Sequence, residues 1–163
     1  ENLTVPIERE IIEQSVAKIV KEKLVTPALR ENVEQYLIEA KEAGLLIGLA
    51  SSSSREWVEG FLNKLNIFDY FHVIKTRDDV KNVKPDPELY NKAIEALGVL
   101  KTEAIAFEDS LNGLIAARKA GLQCVIVPNS VTTNLAFNDY SLRLSSMSEK
   151  SLADVIDHVM NNK

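Results

Sequence analysis

Ala-Ile-Ala-Phe-Glu-Asp-Ser-Leu-Asn-Gly-Leu-Ile-Ala-Ala-Arg-Lys-Ala-Gly-Leu-Gln-Cys-Val-Ile-Val, residues 104–127, is the stretch that decides the fold class. Its two ends, 104–107 and 123–127, are apolar runs that do not alternate with polar residues, as expected for strands covered on both faces. Between them, residues 110–120 read as a helix. A strand, a crossover helix and a second strand make a parallel pair. The same order extends upstream, with strands expected at 45–50 and 72–75 and helices at 54–65 and 87–97. The whole predicts an α/β fold in which helices cover a parallel sheet.

Further out, the tail from Ser151 carries Leu152, Val155, Ile156 and Val159 at helical spacing and predicts a closing helix. Residues 7–23 place Ile7, Ile11, Ile12, Val16, Ile19 and Val20 on one helical face behind Pro6, and a second helix is expected from Thr26-Pro27 to Ala43, ended by Gly44. With 163 residues, 45% of them hydrophobic and 26% charged, the chain can bury one sizeable core. A net charge of -5 without a basic stripe argues against nucleic acid as a partner. No apolar run approaches the roughly 18 to 20 residues that span a bilayer, so no membrane is expected either. Cys124 is the only cysteine, set in an apolar run, and a reducing cytoplasm fits it best.

Ligands of parallel sheets bind beyond the carboxyl ends of the strands, where loops feed helix N-termini. Three polar groups fall in that zone: Ser51 to Ser54, Lys84-Pro85-Asp86-Pro87, and Glu108-Asp109-Ser110. Each alone has a local explanation. The serines and Ser110 can cap helices, and Asp86-Pro87 reads as a cap followed by a first-turn proline. Together they say more. Two carboxylates directly after a buried strand bring like charges to one place, which needs a cation or donors to compensate. Magnesium prefers such hard oxygens, uses one or two carboxylates and completes its shell with water and phosphate. A serine hydroxyl and a lysine ammonium are what a transferring phosphoryl group requires.

Gly48-Leu49-Ala50-Ser51-Ser52-Ser53, Lys84-Pro85-Asp86-Pro87 and Phe107-Glu108-Asp109-Ser110-Leu111-Asn112-Gly113 resemble motifs II, III and IV of the haloacid dehalogenase superfamily, in the right order. Within it the chain is most similar to the β-phosphoglucomutase-like phosphatases, over residues 26–160. The resemblance implies a Rossmann-like core over 26–163 and, at 1–25, the last helix of a helical cap. It implies that Ser51 hydrogen-bonds the transferring phosphoryl group and that Lys84 neutralises its charge. Glu108 and Asp109 would hold Mg2+ directly or through water, with Asn112 and Gly113 shaping the loop behind them. Ser52, Ser53 and Arg55 lie where substrate phosphate is gripped.

One departure is large. The family's nucleophile sits in an Asp-x-Asp element on a central strand, and no such pattern occurs in the chain. The first central strand is thus expected to be absent, leaving a gap between the strands at 45–50 and 104–107 that the missing N-terminal segment or a second copy would fill. The chain alone is expected to be inactive. Its complete form would hydrolyse a small phosphorylated metabolite of the sugar-phosphate class. Two alternatives stay open: a phosphomutase, and a non-catalytic module that binds phosphate or metal.

Overall fold

The computed structural model describes residues 27–161. The helix expected over 7–23 and the cap boundary near residue 25 lie outside them. In chain order the elements are α1 (Val33–Glu42), β1 (Gly48–Ala50), α2 (Arg55–Lys64), β2 (Val73–Lys75), α3 (Glu88–Leu97), β3 (Ile105–Glu108), α4 (Leu111–Ala120), β4 (Gln123–Ile126), β5 (Leu142–Arg143) and α5 (Leu152–Asn161). Short 3-10 turns at Phe68–Tyr70, Arg77–Asp79 and Lys101–Glu103 lie between them.

All three described pairings are parallel, in two separate sheets. β1 pairs with β2, Gly48 opposite Val73 and Ala50 opposite Lys75. β3 pairs with β4, Ile105 opposite Gln123 and Glu108 opposite Ile126, and β4 pairs with β5 at Val125 and Leu142. β4 is the buried centre: Cys124, Val125 and Ile126 have no exposed surface. On one face Ala106, Cys124 and Ile126 pack with Leu114, Ala117 and Tyr90 from α4 and α3. On the other, Val125 and Val127 meet Tyr36 and Ala40 from α1 and Val155 and Val159 from α5. A third cluster joins Leu37 of α1 to Val58 and Leu62 of α2.

Two expectations need correction. The first strand is shorter than 45–50 and is not covered on both faces, since Leu45 and Leu46 are exposed at 39% and 50% and Gly48 is exposed as well. Its one described strand partner is β2, and on its other side runs a cleft of about 740 Å³ lined by Gly48 and Leu49 of β1, Ile105 and Phe107 of β3, and Ile94 and Leu97 of α3. That cleft lies where the resemblance puts a further strand. The second correction concerns α1, which begins at Val33 rather than after Pro27. Asn32 takes a left-handed backbone (φ 62°), so it cannot continue a helix upstream, and its side chain donates to the Met147 carbonyl instead. Gly44 does end α1 with a positive φ of 68°. The closing helix matches its expectation, with Leu152, Val155 and Val159 buried.

Candidate active site

The serine loop leaves β1 under tight backbone control. Ser51 N-H donates to the Lys75 carbonyl, and Arg77 N-H donates to the Ser53 carbonyl. Ser53 N-H donates to Ser51 Oγ at 3.1 Å, which leaves the Ser51 hydroxyl proton free to donate elsewhere. Ser52 is exposed. Ser54 caps α2, its Oγ accepting from Trp57 N-H at 3.4 Å, as the sequence predicts. The loop is clamped from behind by Asp78, which accepts from Arg55 N-H, and by Asp79.

Arg55 does not reach forward. Its guanidinium binds Glu59 at 2.9 Å, both oxygens of Asp79 at 3.0 and 2.8 Å, and the Ile74 carbonyl. Hydrogen bonds to Glu59 and Asp79 raise its pKa further. Burial alone would raise the Asp79 carboxyl, but bonds from the Thr76 N-H and hydroxyl and from Arg55 hold it below its ordinary value. The expected grip on substrate is not what this geometry displays, because an arginine held by two carboxylates has its charge already matched.

Across the cleft mouth, Glu108 and Asp109 diverge. Glu108 turns inward, with 6% of its side chain exposed, and forms an ion pair with Lys84, whose side chain is 12% exposed. Tyr90 from α3 donates its hydroxyl to the same Glu108 oxygen, and Ser110 Oγ donates to the other at 3.3 Å. Lys84 Nζ also lies 4.8 Å from the centroid of the Tyr90 ring. Burial, reinforced by the Glu108 charge, drives the Tyr90 phenol far above its ordinary pKa, so it remains a donor. The same two causes push Cys124 up to about 12, which leaves an inert buried thiol.

Gly113 makes the inward turn of Glu108 possible. A Cβ there would sit 1.8 Å from Glu108 Oε2 and 2.0 Å from Cδ. Ser110 caps α4 by accepting from Gly113 N-H at 3.1 Å, which brings that helix turn against the carboxylate. Gly113→Ala is therefore expected to displace Glu108 from three donors. Losing hydrogen bonds to a charged group costs about 1.5–3 kcal/mol each, against a gain of about 1 kcal/mol in helix propensity. A net loss of about 3.5 kcal/mol or more, roughly 7 °C or more in thermal midpoint, should be seen by differential scanning calorimetry of the full-length protein.

Asp109 turns the other way and is partly exposed. It accepts from Asn129 Nδ2 at 2.9 Å through Oδ2, and among the described residues Oδ1 has no hydrogen-bond partner. Asn112 is exposed on the first turn of α4. Ala50, Lys84, Glu108 and Asp109 all line the one cleft, and Ser51 follows Ala50 directly. Two contributors are not singled out by the sequence motifs. Tyr90 sits in an apolar helical period, where a tyrosine reads as core, although its place six residues after Lys84 is a usable signal. Asn129 follows Pro128 and reads as an ordinary turn residue. His72 is structural, its Nδ1 accepting from Ile47 N-H at 3.0 Å.

Parallel strands that present a lysine and a carboxylate pair to one cleft, with a serine loop leaving Ala50 at its edge, define an α/β fold with its polar site where such folds bind ligands. The chain belongs to the haloacid dehalogenase-like hydrolases, whose family matches residues 2–127. It is 57% identical over 130 residues to "Putative phosphatase YhcW" of Bacillus subtilis, covering 80% of the chain and 59% of that protein. It is 30% identical over 152 residues to hexitol phosphatase B of Escherichia coli K12, covering 93% of the chain and 68% of that protein. The crystal structure of CbbY from Rhodobacter sphaeroides in complex with phosphate matches at a TM-score of 0.80 and 32% identity, over 91% of this chain and 69% of that one. The chain thus spans about three fifths of YhcW and about two thirds of the other two.

Proposed function

We propose that the protein is a magnesium-dependent phosphatase acting on a small phosphomonoester of the sugar-phosphate class, by way of an aspartyl-phosphate. The observation that carries this reading is that one cleft is lined by an ammonium, Lys84, and by a carboxylate, Asp109, whose Oδ1 has no hydrogen-bond partner among the described residues. The donor set fits magnesium in part. Asp109 offers a free hard oxygen, whereas Glu108 has its charge matched by Lys84 and would act through water. When bound, magnesium would draw charge from the phosphoryl oxygens.

The chain's own residues do the rest. The Ser51 hydroxyl, already accepting from Ser53 N-H, directs its proton toward a phosphoryl oxygen. Lys84, held in place by Glu108 and Tyr90, keeps its third ammonium donor for a phosphoryl oxygen without needing to be reorganised. The exposed Ser52, together with Ser53, adds polar groups on the approach side. The attacking carboxylate belongs to a segment other than those described, since the chain holds no Asp-x-Asp. A phosphatase is favoured over a mutase because Arg55 is bound to Glu59 and Asp79 and is not turned to a second phosphate. The cytoplasm is the proposed location. No helix among the described residues is long and apolar enough to cross a membrane, and Cys124 is free and buried.

Phosphate release from a panel of sugar phosphates by the full-length protein, with and without Mg2+, tests this. Mg2+-dependent turnover that Asp109→Ala abolishes is expected. Absence of turnover on every monoester, or wild-type rates in Asp109→Ala, would overturn it.

A further inference from the structure

We propose that Asn129 is a positioning residue that holds Asp109 with one carboxylate oxygen turned to a divalent cation and the other withheld from it. The inference rests on the reading of Asp109 as a metal ligand and names what sets its geometry. The carboxamide has no choice of orientation. Its Oδ1 accepts from Val131 N-H at 2.8 Å and from Thr132 N-H at 3.1 Å, so Nδ2 must be the end that meets Asp109. That end donates to Asp109 Oδ2 at 2.9 Å.

The residue is itself anchored on all sides. Its N-H donates to Thr132 Oγ1 at 3.0 Å, and its carbonyl accepts from Thr132 and Thr133 N-H. Upstream, Val127 N-H donates to the Glu108 carbonyl at 2.8 Å, which fixes the two strand ends side by side. Arg30 then forks onto the carbonyls of Val127 and Pro128 at 2.8 and 2.7 Å. A loop tied this thoroughly holds the Asn129 Nδ2 donor against a single carboxylate oxygen. Such a side chain tunes a ligand rather than merely closing a turn.

The chemical consequence is selectivity. A carboxylate with one oxygen engaged binds a cation through the other alone, which suits the small octahedral Mg2+. Ca2+ is larger and accepts both oxygens of one carboxylate in a looser shell. Freeing Asp109 Oδ2 should therefore weaken Mg2+ far more than Ca2+.

The test is competition of Mg2+ or Ca2+ against bound Mn2+ in the full-length protein, followed by the electron paramagnetic resonance signal of free Mn2+. Asn129→Ala is expected to lose about tenfold or more in Mg2+ affinity, in the range seen for partners of metal ligands, with Ca2+ affinity changed far less. Asn129→Ser keeps a short oxygen able to close the turn but too short to reach Asp109, and it should shift the preference likewise. Ser141→Ala loses a hydroxyl that binds Cys124 N-H and Gln123 at the other end of β4, away from Asn129, so it should lower the thermal midpoint and leave the Mg2+ to Ca2+ ratio unchanged. If Asp109→Ala binds Mg2+ as the unaltered protein does, the metal reading itself fails. If Asp109→Ala loses binding while both Asn129 variants keep the original ratio, the positioning role alone is overturned.

Discussion

Lys84→Ala in the full-length protein is expected to lower phosphatase turnover by about a hundredfold to a thousandfold, since removing one preorganised charge-stabilising contact costs about 2.7–4 kcal/mol. It should also destabilise the fold. Glu108, with 6% of its side chain exposed, would keep only Tyr90 and Ser110 against its charge. Breaking a buried pair by removing one partner costs on the order of 3–5 kcal/mol. The two losses separate in the double variant Lys84→Met, Glu108→Gln, which removes both charges and keeps an amide for Tyr90 and Ser110. Calorimetry should show most of the lost stability restored, because neutral replacements of a buried pair are often tolerated. Phosphate release should stay at the Lys84→Ala level, because the ammonium is still missing. Recovery of turnover together with stability would show that Lys84 serves the fold alone.

The parts of this architecture that the sequence discloses are those set by local chemistry. β4 is legible because Cys124, Val125 and Ile126 are apolar on both faces, and the starts of α2 and α4 are legible because Ser54 and Ser110 can do little else before a helix. β5 is not legible. Leu142 and Arg143 follow a polar stretch and become a strand only by pairing with Val125 and Ile126, a contact far away in sequence. Nor could the pair Glu108-Asp109 be told apart by residue type. What assigns Glu108 to the interior is the bare Gly113 Cα, Lys84 before α3 and Tyr90 within it, and what assigns Asp109 to the outside is Asn129. Arg55 illustrates the reverse case. Its position suggests phosphate, but Asp79 and Glu59 take its guanidinium, and neither partner is marked by a motif.

The 163-residue chain expressed alone is expected to be marginal and prone to associate, because its sheet is divided at the centre. β1 and β3 each have one described strand partner, and the cleft of about 740 Å³ lies on the other side of both. An extended segment is the occupant that could meet two strand edges at once while placing side chains against α1 and α3 on either face. Without it, backbone groups along apolar edges stay unpaired, and such edges template pairing with another chain. Each buried group without a partner costs about 1–3 kcal/mol, so a handful consumes a net stability of only about 5–15 kcal/mol. Light scattering should therefore show oligomers or aggregates, and thermal unfolding should be broad. The full-length protein should instead be monodisperse with a sharp transition. A monodisperse monomer of the chain alone, unfolding cooperatively, would show that the cleft closes on itself and needs no added strand.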